Sequence, residues 1–120
     1  MKQFIFASLL LISFAGFGQN ALQTDLEKNS YSVLLNNMSE SVEIEIDHNK
    51  NIYSSKQAKL ILTNFFHEKG MADFKTLHNG VAKSKEHFLI GIFRGKNRTY
   101  KMNIKYLSGD KLRIQFISIN

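Results

Sequence analysis

Ten side-chain carboxylates and four histidines, with no cysteine, are the reactive groups this 120-residue chain offers. Acid–base catalysis needs a carboxylate or His set beside a substrate proton, with a donor opposite for the developing charge. No acid falls in such a place. In "SVEIEID", Glu43, Glu45 and Asp47 alternate with Val42, Ile44 and Ile46, which puts the acids on the polar side of a half-buried strand. Glu68 and Asp73 flank a helix end, Asp110 lies in a hairpin turn, and Asp25 and Glu27 sit on the polar side of Leu22 and Leu26. The lack of Cys removes thiol nucleophiles and thiolate metal sites.

The histidines are spread out. His48 is in a polar loop and His67 follows Phe66 at a helix end, while His78 and His87 lie on neighbouring predicted strands. A metal would need those two brought together and a third ligand besides, since catalytic zinc takes three protein ligands. None is evident, so no metal is expected. His78 shares its alternation with Phe74 and Thr76 and has the strongest claim to a pocket, although a lone half-buried His is more often structural. There is no G-x-S-x-G, phosphate-binding loop or dinucleotide fingerprint. Neither a catalytic residue nor a cofactor is expected.

The elements that would position these residues begin after a leader. Lys2 precedes an apolar run from Phe4 to Phe17, and Gly16 and Gly18 supply small residues before Gln19. That pattern describes a secretory signal peptide over residues 1–18. The run is shorter than the roughly 20 residues that span a bilayer. The expected product is one domain over residues 19–120, exported to the periplasm or beyond, with no lasting membrane insertion. The exported compartment permits disulfides, but this chain has no Cys and must rely on its core. Residues 69–120 carry eleven Lys or Arg against three acids, a basic half that could draw anionic partners. The charges alternate with apolar residues, as on a solvated sheet face. Tyr100 and Tyr106 share the apolar side of their strand, so the aromatics are not set out as a nucleic-acid stacking platform.

Helical spacing is expected over 21–38, with a break and a new N-cap at Asn29-Ser30 and a second short helix from Tyr31 to Met38. "HNKN" reads as the loop after the first strand. In "NIYSSKQAKLILTNFFHEKG", Ser54 and Gln57 form a capping box and Gly70 a stop. Ala58, Ile61, Leu62, Phe65 and Phe66 make an apolar stripe of about 140°. Leu60 falls on the other side and needs a second partner, for which the N-terminal helices are the candidates. Four strands follow: 74–82, turning at Lys83 to Lys85 in preference to Asn79-Gly80; 87–94, with Gly91 marking a bend or bulge; and two alternating strands from Tyr100 and Leu112. Short turns join them as an antiparallel meander, so the layout is α+β with N-terminal helices on one face of the sheet.

The succession "YSSKQAKLILTNFF", "FKTLHNG", "HFLIGIF" and "YKMNIKYLSGDKLRIQFISI" resembles the secreted bacterial domain-of-unknown-function family numbered 4783, which is similar to the nuclear transport factor 2-like superfamily. The resemblance covers nearly all of residues 19–120. It implies a curved antiparallel sheet wrapped around the helices as a cone, also seen in cystatin-like folds. In that superfamily the hollow of the cone is sometimes an active site, sometimes a ligand pocket and sometimes simply filled, so the fold alone does not assign a function. If it is a pocket, Phe65 and Phe66 would roof it, Tyr100, Met102 and Ile104 would floor it, and Tyr53 and His78 would be its polar handles. The expected role is non-enzymatic binding of a small ligand or protein partner in the cell envelope of a Gram-negative bacterium. The alternatives are an isomerase or dehydratase using His78 or Tyr53, and a homodimer through the open sheet face.

Overall fold

The structure is a computed structural model that describes residues 17–120. The expected leader lies outside the described residues except for Phe17 and Gly18, which open helix α1 (Phe17–Glu27). A break leads to the short α2 (Ser32–Asn36). Then come β1 (Met38–Ile46), β2 (Asn49–Ser54), α3 (Ser55–Lys69), β3 (Ala72–Val81), β4 (His87–Arg94), β5 (Thr99–Ser108) and β6 (Leu112–Ile119). The six strands form one sheet in the order β2-β1-β6-β5-β4-β3. Every neighbouring pair is antiparallel except β1 and β6, which run parallel. The expected α+β architecture and the meander of β3 to β6 are therefore present, and the helices lie on one face of the sheet.

Three local expectations are corrected. The break after α1 does fall at Asn29, whose φ is 62°, but the cap of α2 comes from further back. Asp25 Oδ2 accepts from the Val33 N–H at 2.9 Å and from Ser32 Oγ at 3.3 Å, while Ser30 Oγ accepts only a long bond of 3.4 Å from the Ser32 N–H. Met38 leaves the helix and starts β1, opposite Ile114. "HNKN" is mostly strand: the turn is Asp47-His48, with φ of 50° and 68°, and β2 begins at Asn49. Two successive positive φ values are the geometry of a tight hairpin turn, which Asp tolerates better than most side chains.

Helix α3 starts and stops where its residues say. The Ser54 side chain accepts from the Gln57 N–H at 3.2 Å, and the Gln57 side chain accepts from the Ser54 N–H at 3.3 Å. At the other end Gly70 has φ 82° and donates its N–H to the Phe66 carbonyl at 2.8 Å. Its buried stripe is Ala58, Leu62, Phe65 and Phe66. Leu60 finds no cover from the N-terminal helices and is 62% exposed.

The core lies between the helices and the inner face of the sheet. Leu22 and Leu26 of α1, Leu34 of α2, and Leu62 of α3 are fully buried against Val42, Leu89, Met102, Ile104, Tyr106, Ile114, Ile117 and Ile119. A polar chain latches α1 to β3: Asn79 Nδ2 donates to Gln23 Oε1 at 2.8 Å, and Thr76 Oγ1 donates to Glu27 Oε2 at 2.9 Å. Register shifts interrupt the β1–β6, β3–β4 and β5–β6 pairings, and bulges of this kind bend and twist a sheet. The bend expected at Gly91 is met by a bulge on the partner strand, where Leu77 is the extra residue between Thr76 and His78. Gly91 itself lets the Phe74 ring cross the sheet: a Cβ there would collide with that ring and stand 2.8 Å from the Lys75 carbonyl oxygen.

Candidate functional site

Tyr53, Phe65, Phe66, Tyr100, Met102 and Ile104, which the sequence nominates for a pocket, do gather on the inner face, but as packing. Phe65, Phe66 and Tyr100 are at most 8% exposed, and Met102 and Ile104 are fully buried. Tyr53 pairs with Val42 at the sheet edge and is half-buried against the same cluster. The rings interlock. Tyr31 stacks on Phe66 with centroids 4.6 Å apart, Phe65 meets Phe66 edge-on at 5.7 Å and Tyr100 edge-on at 5.4 Å, and Phe93 stacks on Tyr100 at 5.2 Å. The Arg98 guanidinium closes the end of this stack, 4.2 Å from the Tyr100 ring centroid. Side chains of the chain itself occupy the space under α3.

His78 is not among them. Strand alternation would place it beside Phe74 and Thr76, but the extra residue at Leu77 inverts the alternation. His78 instead lies opposite Ile90 on the outer face and stacks on Phe88 at 5.2 Å. His87, opposite Tyr106, is on the inner face and stacks on that ring at 5.2 Å. The two strand histidines thus occupy opposite sides of the sheet. Among the described residues no three His, Asp or Glu side chains come together in a metal-binding arrangement.

The outer face carries the more open feature. Reading across the strands, Glu43, Phe116, Lys105 and Phe88 lie side by side, and in the next row Glu45, Ser118, Asn103, Ile90 and His78. Part of this surface is a shallow groove of about 360 Å³ lined by Phe88, Ile90, Asn103, Lys105, Phe116 and Glu45, with Ser118 and Asn120 at its end. The Lys105 ammonium stands 5.1 Å from the Phe116 ring centroid. Asn103 lines the groove, and its Oδ1 is buried beneath that surface with no hydrogen-bond partner among the described residues, an uncommon state for a buried polar atom.

Glu45 is the organised acid of this surface. Its Oε2 accepts from Asn120 Nδ2 at 2.8 Å and from Ser118 Oγ at 3.2 Å, and its Oε1 lies 3.9 Å from Lys50 Nζ. The Asn120 amide is itself oriented, because its Oδ1 accepts from the His48 N–H at 2.8 Å. The bond from Asn120 is the main reason the Glu45 carboxyl is held below its usual range; Ser118, Lys50 and His48 add to it against the cost of burial. A carboxylate kept ionised in this way is an acceptor and an anchor, not a proton donor.

Sequence reasoning passed over this groove because it set Glu45 in solvent and looked for a site beneath α3. One signal was available. "HFLIGIF" is apolar in both phases of its alternation, with Phe88, Ile90 and Ile92 out of step with Leu89 and Phe93, and Phe116 is likewise out of step with Ile117. A strand apolar on both sides has a second face that is not plain solvent surface.

Comparison with known proteins follows the same lines. The family described as "Domain of unknown function (DUF4783)" matches residues 19–120. No curated protein matches the chain. Among solved structures, a DUF4783 family protein from Bacteroides ovatus ATCC 8483 aligns with a TM-score of 0.72 at 19% identity, over 82% of this chain and 89% of that one. Another from Bacteroides fragilis YCH46 aligns with a TM-score of 0.70 at 23% identity, over 80% and 90%. A candidate ketosteroid isomerase from Shewanella frigidimarina NCIMB 400 aligns with a TM-score of 0.60 at 8% identity, over 88% and 94%. These likenesses show the fold, which is nuclear transport factor 2-like.

Proposed function

The chain belongs to the DUF4783 family of domains of unknown function, and we propose that it is an exported, non-enzymatic binding domain whose working surface is the outer face of its sheet. One observation carries this reading. The inner space is taken up by the interlocked rings of Tyr31, Phe65, Phe66, Phe93 and Tyr100, whereas the outer face holds a groove with an apolar floor and, beneath it, a buried polar atom with no partner among the described residues. A groove of about 360 Å³ falls at the small end of the ~300–1,000 Å³ range of small-molecule sites. The non-enzymatic character rests on the lining of the groove: its one carboxylate, Glu45, is taken up by its donors Asn120 and Ser118, and no His among the lining residues is there to exchange a proton with it. Export rests on the leader pattern of residues 1–18, and the family match begins at residue 19. Among the described residues no helix is long and apolar enough to cross a membrane.

A second reading uses the same face for a homodimer. Glu43 and Glu45 stand on β1 and Lys101 and Lys105 on β5, with half-buried Phe116 of β6 between them and half-buried Phe88 and Ile90 of β4 beyond the lysines. A two-fold axis would set the acids of one copy against the lysines of the other, the self-complementarity an isologous contact needs. One experiment addresses both. The full chain is expressed in a Gram-negative host, recovered from the envelope fraction and weighed by native mass spectrometry beside Phe88→Ser. The expected result is a mature mass starting at Gln19, carrying an added ligand mass or doubled, with the addition lost in Phe88→Ser. A chain that retains residues 1–18, or an added mass unaffected by Phe88→Ser, overturns the reading.

A further inference from the structure

The two edge strands of the sheet are finished differently. β3 is interrupted by two register shifts, and a bulged edge is a poor template for another strand. β2 has no such irregularity. It pairs with β1 residue for residue from Ser41–Ser54 to Ile46–Asn49, its one charge is Lys50, and its Ile52 is 70% exposed. Among the described residues no strand pairs with its far side, and α3 packs back over β1 and β2. The turn fixes which backbone groups of this edge are free. In a two-residue hairpin the flanking residues, here Ile46 and Asn49, bond each other, and the pattern alternates from there. Asn49, Asn51 and Tyr53 therefore direct their N–H and C=O groups to β1. The Asp47 N–H, in the other phase, goes to the Ile119 carbonyl of β6 at 3.1 Å, as that alternation requires. Lys50, Ile52 and Ser54 point outward, but the Ser54 N–H is already given to the Gln57 side chain.

We propose that a second copy of the chain pairs antiparallel with this edge, Lys50 of each copy opposite Ile52 of the other. Both outward residues are then used, since facing residues of this kind exchange both backbone bonds. On the inner face Asn51 meets Asn51 of the second copy, and each side-chain amide can donate to the other and accept from it. On the outer face the Lys50 stem covers the exposed Ile52 of the second copy. Glu45 neighbours Lys50 and Glu43 neighbours Ile52, so each row reads Glu45, Lys50, then Ile52 and Glu43 of the second copy. Lys50 thus stands between Glu45 of its own chain, at 3.9 Å, and an acid of the other. That second acid is two strand spacings away, about 10 Å at the backbone, which the two long side chains together can span. Other registers do worse. Shifted one way, Lys50 faces Lys50; shifted the other, the bonds fall on Ser54, which the helix cap has taken. The two-fold axis is normal to the sheet, so both outer faces end on the same side of one continuous sheet. A contact of one strand edge is far smaller than a standard interface, so the pair forms toward millimolar concentration, above that of native mass spectrometry.

The test reads solvent exchange of backbone amides in ¹⁵N-labelled protein, expressed and recovered as above, from micromolar to millimolar concentration. The expected result is that the Lys50 and Ile52 amides become protected as concentration rises. Those of Asn49, Asn51 and Tyr53, already bonded to β1, should not change. Sedimentation of the same samples should show the doubled mass appearing in step. Ile52→Pro removes an outward donor at an edge position where proline is tolerated, and should abolish both effects. Lys50→Glu puts three acids in one row and should weaken association several-fold in a folded protein. Phe88→Ser should leave it unchanged, which separates this contact from any made through the outer groove. Lys50 and Ile52 amides that stay unprotected at every concentration overturn the proposal. Protection already complete at micromolar concentration also overturns it, because the edge would then be covered within one chain. So does an undiminished dimer in a folded Ile52→Pro or in Lys50→Glu.

Discussion

Glu45 accepts two side-chain bonds in its ionised form, and both donors are lost when the chain unfolds. Its folded carboxyl titrates below its unfolded value, so its contribution to stability is complete above the unfolded range and disappears as pH falls through the folded one. We expect the thermal midpoint of the wild type to drop on acidification more steeply than that of Glu45→Gln. Parallel curves for the two proteins between neutral and acid pH would show that the bonds from Asn120 and Ser118 do not favour the charged form. Asn103 illustrates the opposite case, a side chain whose buried Oδ1 has no hydrogen-bond partner among the described residues. Glu45 is visible in the sequence only as a polar member of an alternating strand, because its donors Ser118 and Asn120 lie more than seventy positions away.

At the scale of the element, the start of α3 is the most local feature in the molecule. Ser54 and Gln57 satisfy each other's backbone donors, with no help from distant chain. Replacing Ser54 by Ala should cost about 1 kcal/mol, read as a shift in the urea midpoint with an unchanged slope. A loss below a few tenths of a kcal/mol would mean that packing of the Phe65-Phe66 face holds the helix start without its cap. The bulge at Leu77 is a different kind of feature. It adds one residue to β3 next to the Thr76–Gly91 pair and moves His78 across the sheet, beside the place where the Phe74 ring packs over Gly91 of the neighbouring strand. Gly91 in "HFLIGIF" hinted that something would bend, but which strand would carry the extra residue depended on the partner.

For the whole molecule, the aromatic cluster under α3 decides what the fold can be used for. Phe66 of α3 touches Tyr31, Phe65 and Phe93, and so joins α3 to the residue that caps α2 and to β4. Truncation to Ala should cost about 3–5 kcal/mol, because three walls that belong to separate elements cannot close on the vacated space together. Chemical denaturation measures this directly. A loss under about 1 kcal/mol would indicate a loosely filled interior, and would restore the inner face as a place for a ligand.

The sequence by itself determined the α+β class, the long capped helix, the meander of β3 to β6 and most of the core-facing residues. Those follow from caps, periodicity and turns that act over a few residues. It did not reveal β2, hidden in a polar segment that becomes a strand only because β1 offers it an edge after a two-residue turn. Nor did it tell that the residues named for a pocket, His78 apart, would pack together in its place, or that Phe88, Asn103, Phe116 and Glu45 would meet on the other side. Alternation tells which residues of one strand share a face. Strand order, register and a single extra residue at Leu77 decide which faces meet and what lies between them, and these are settled only when all six strands pair.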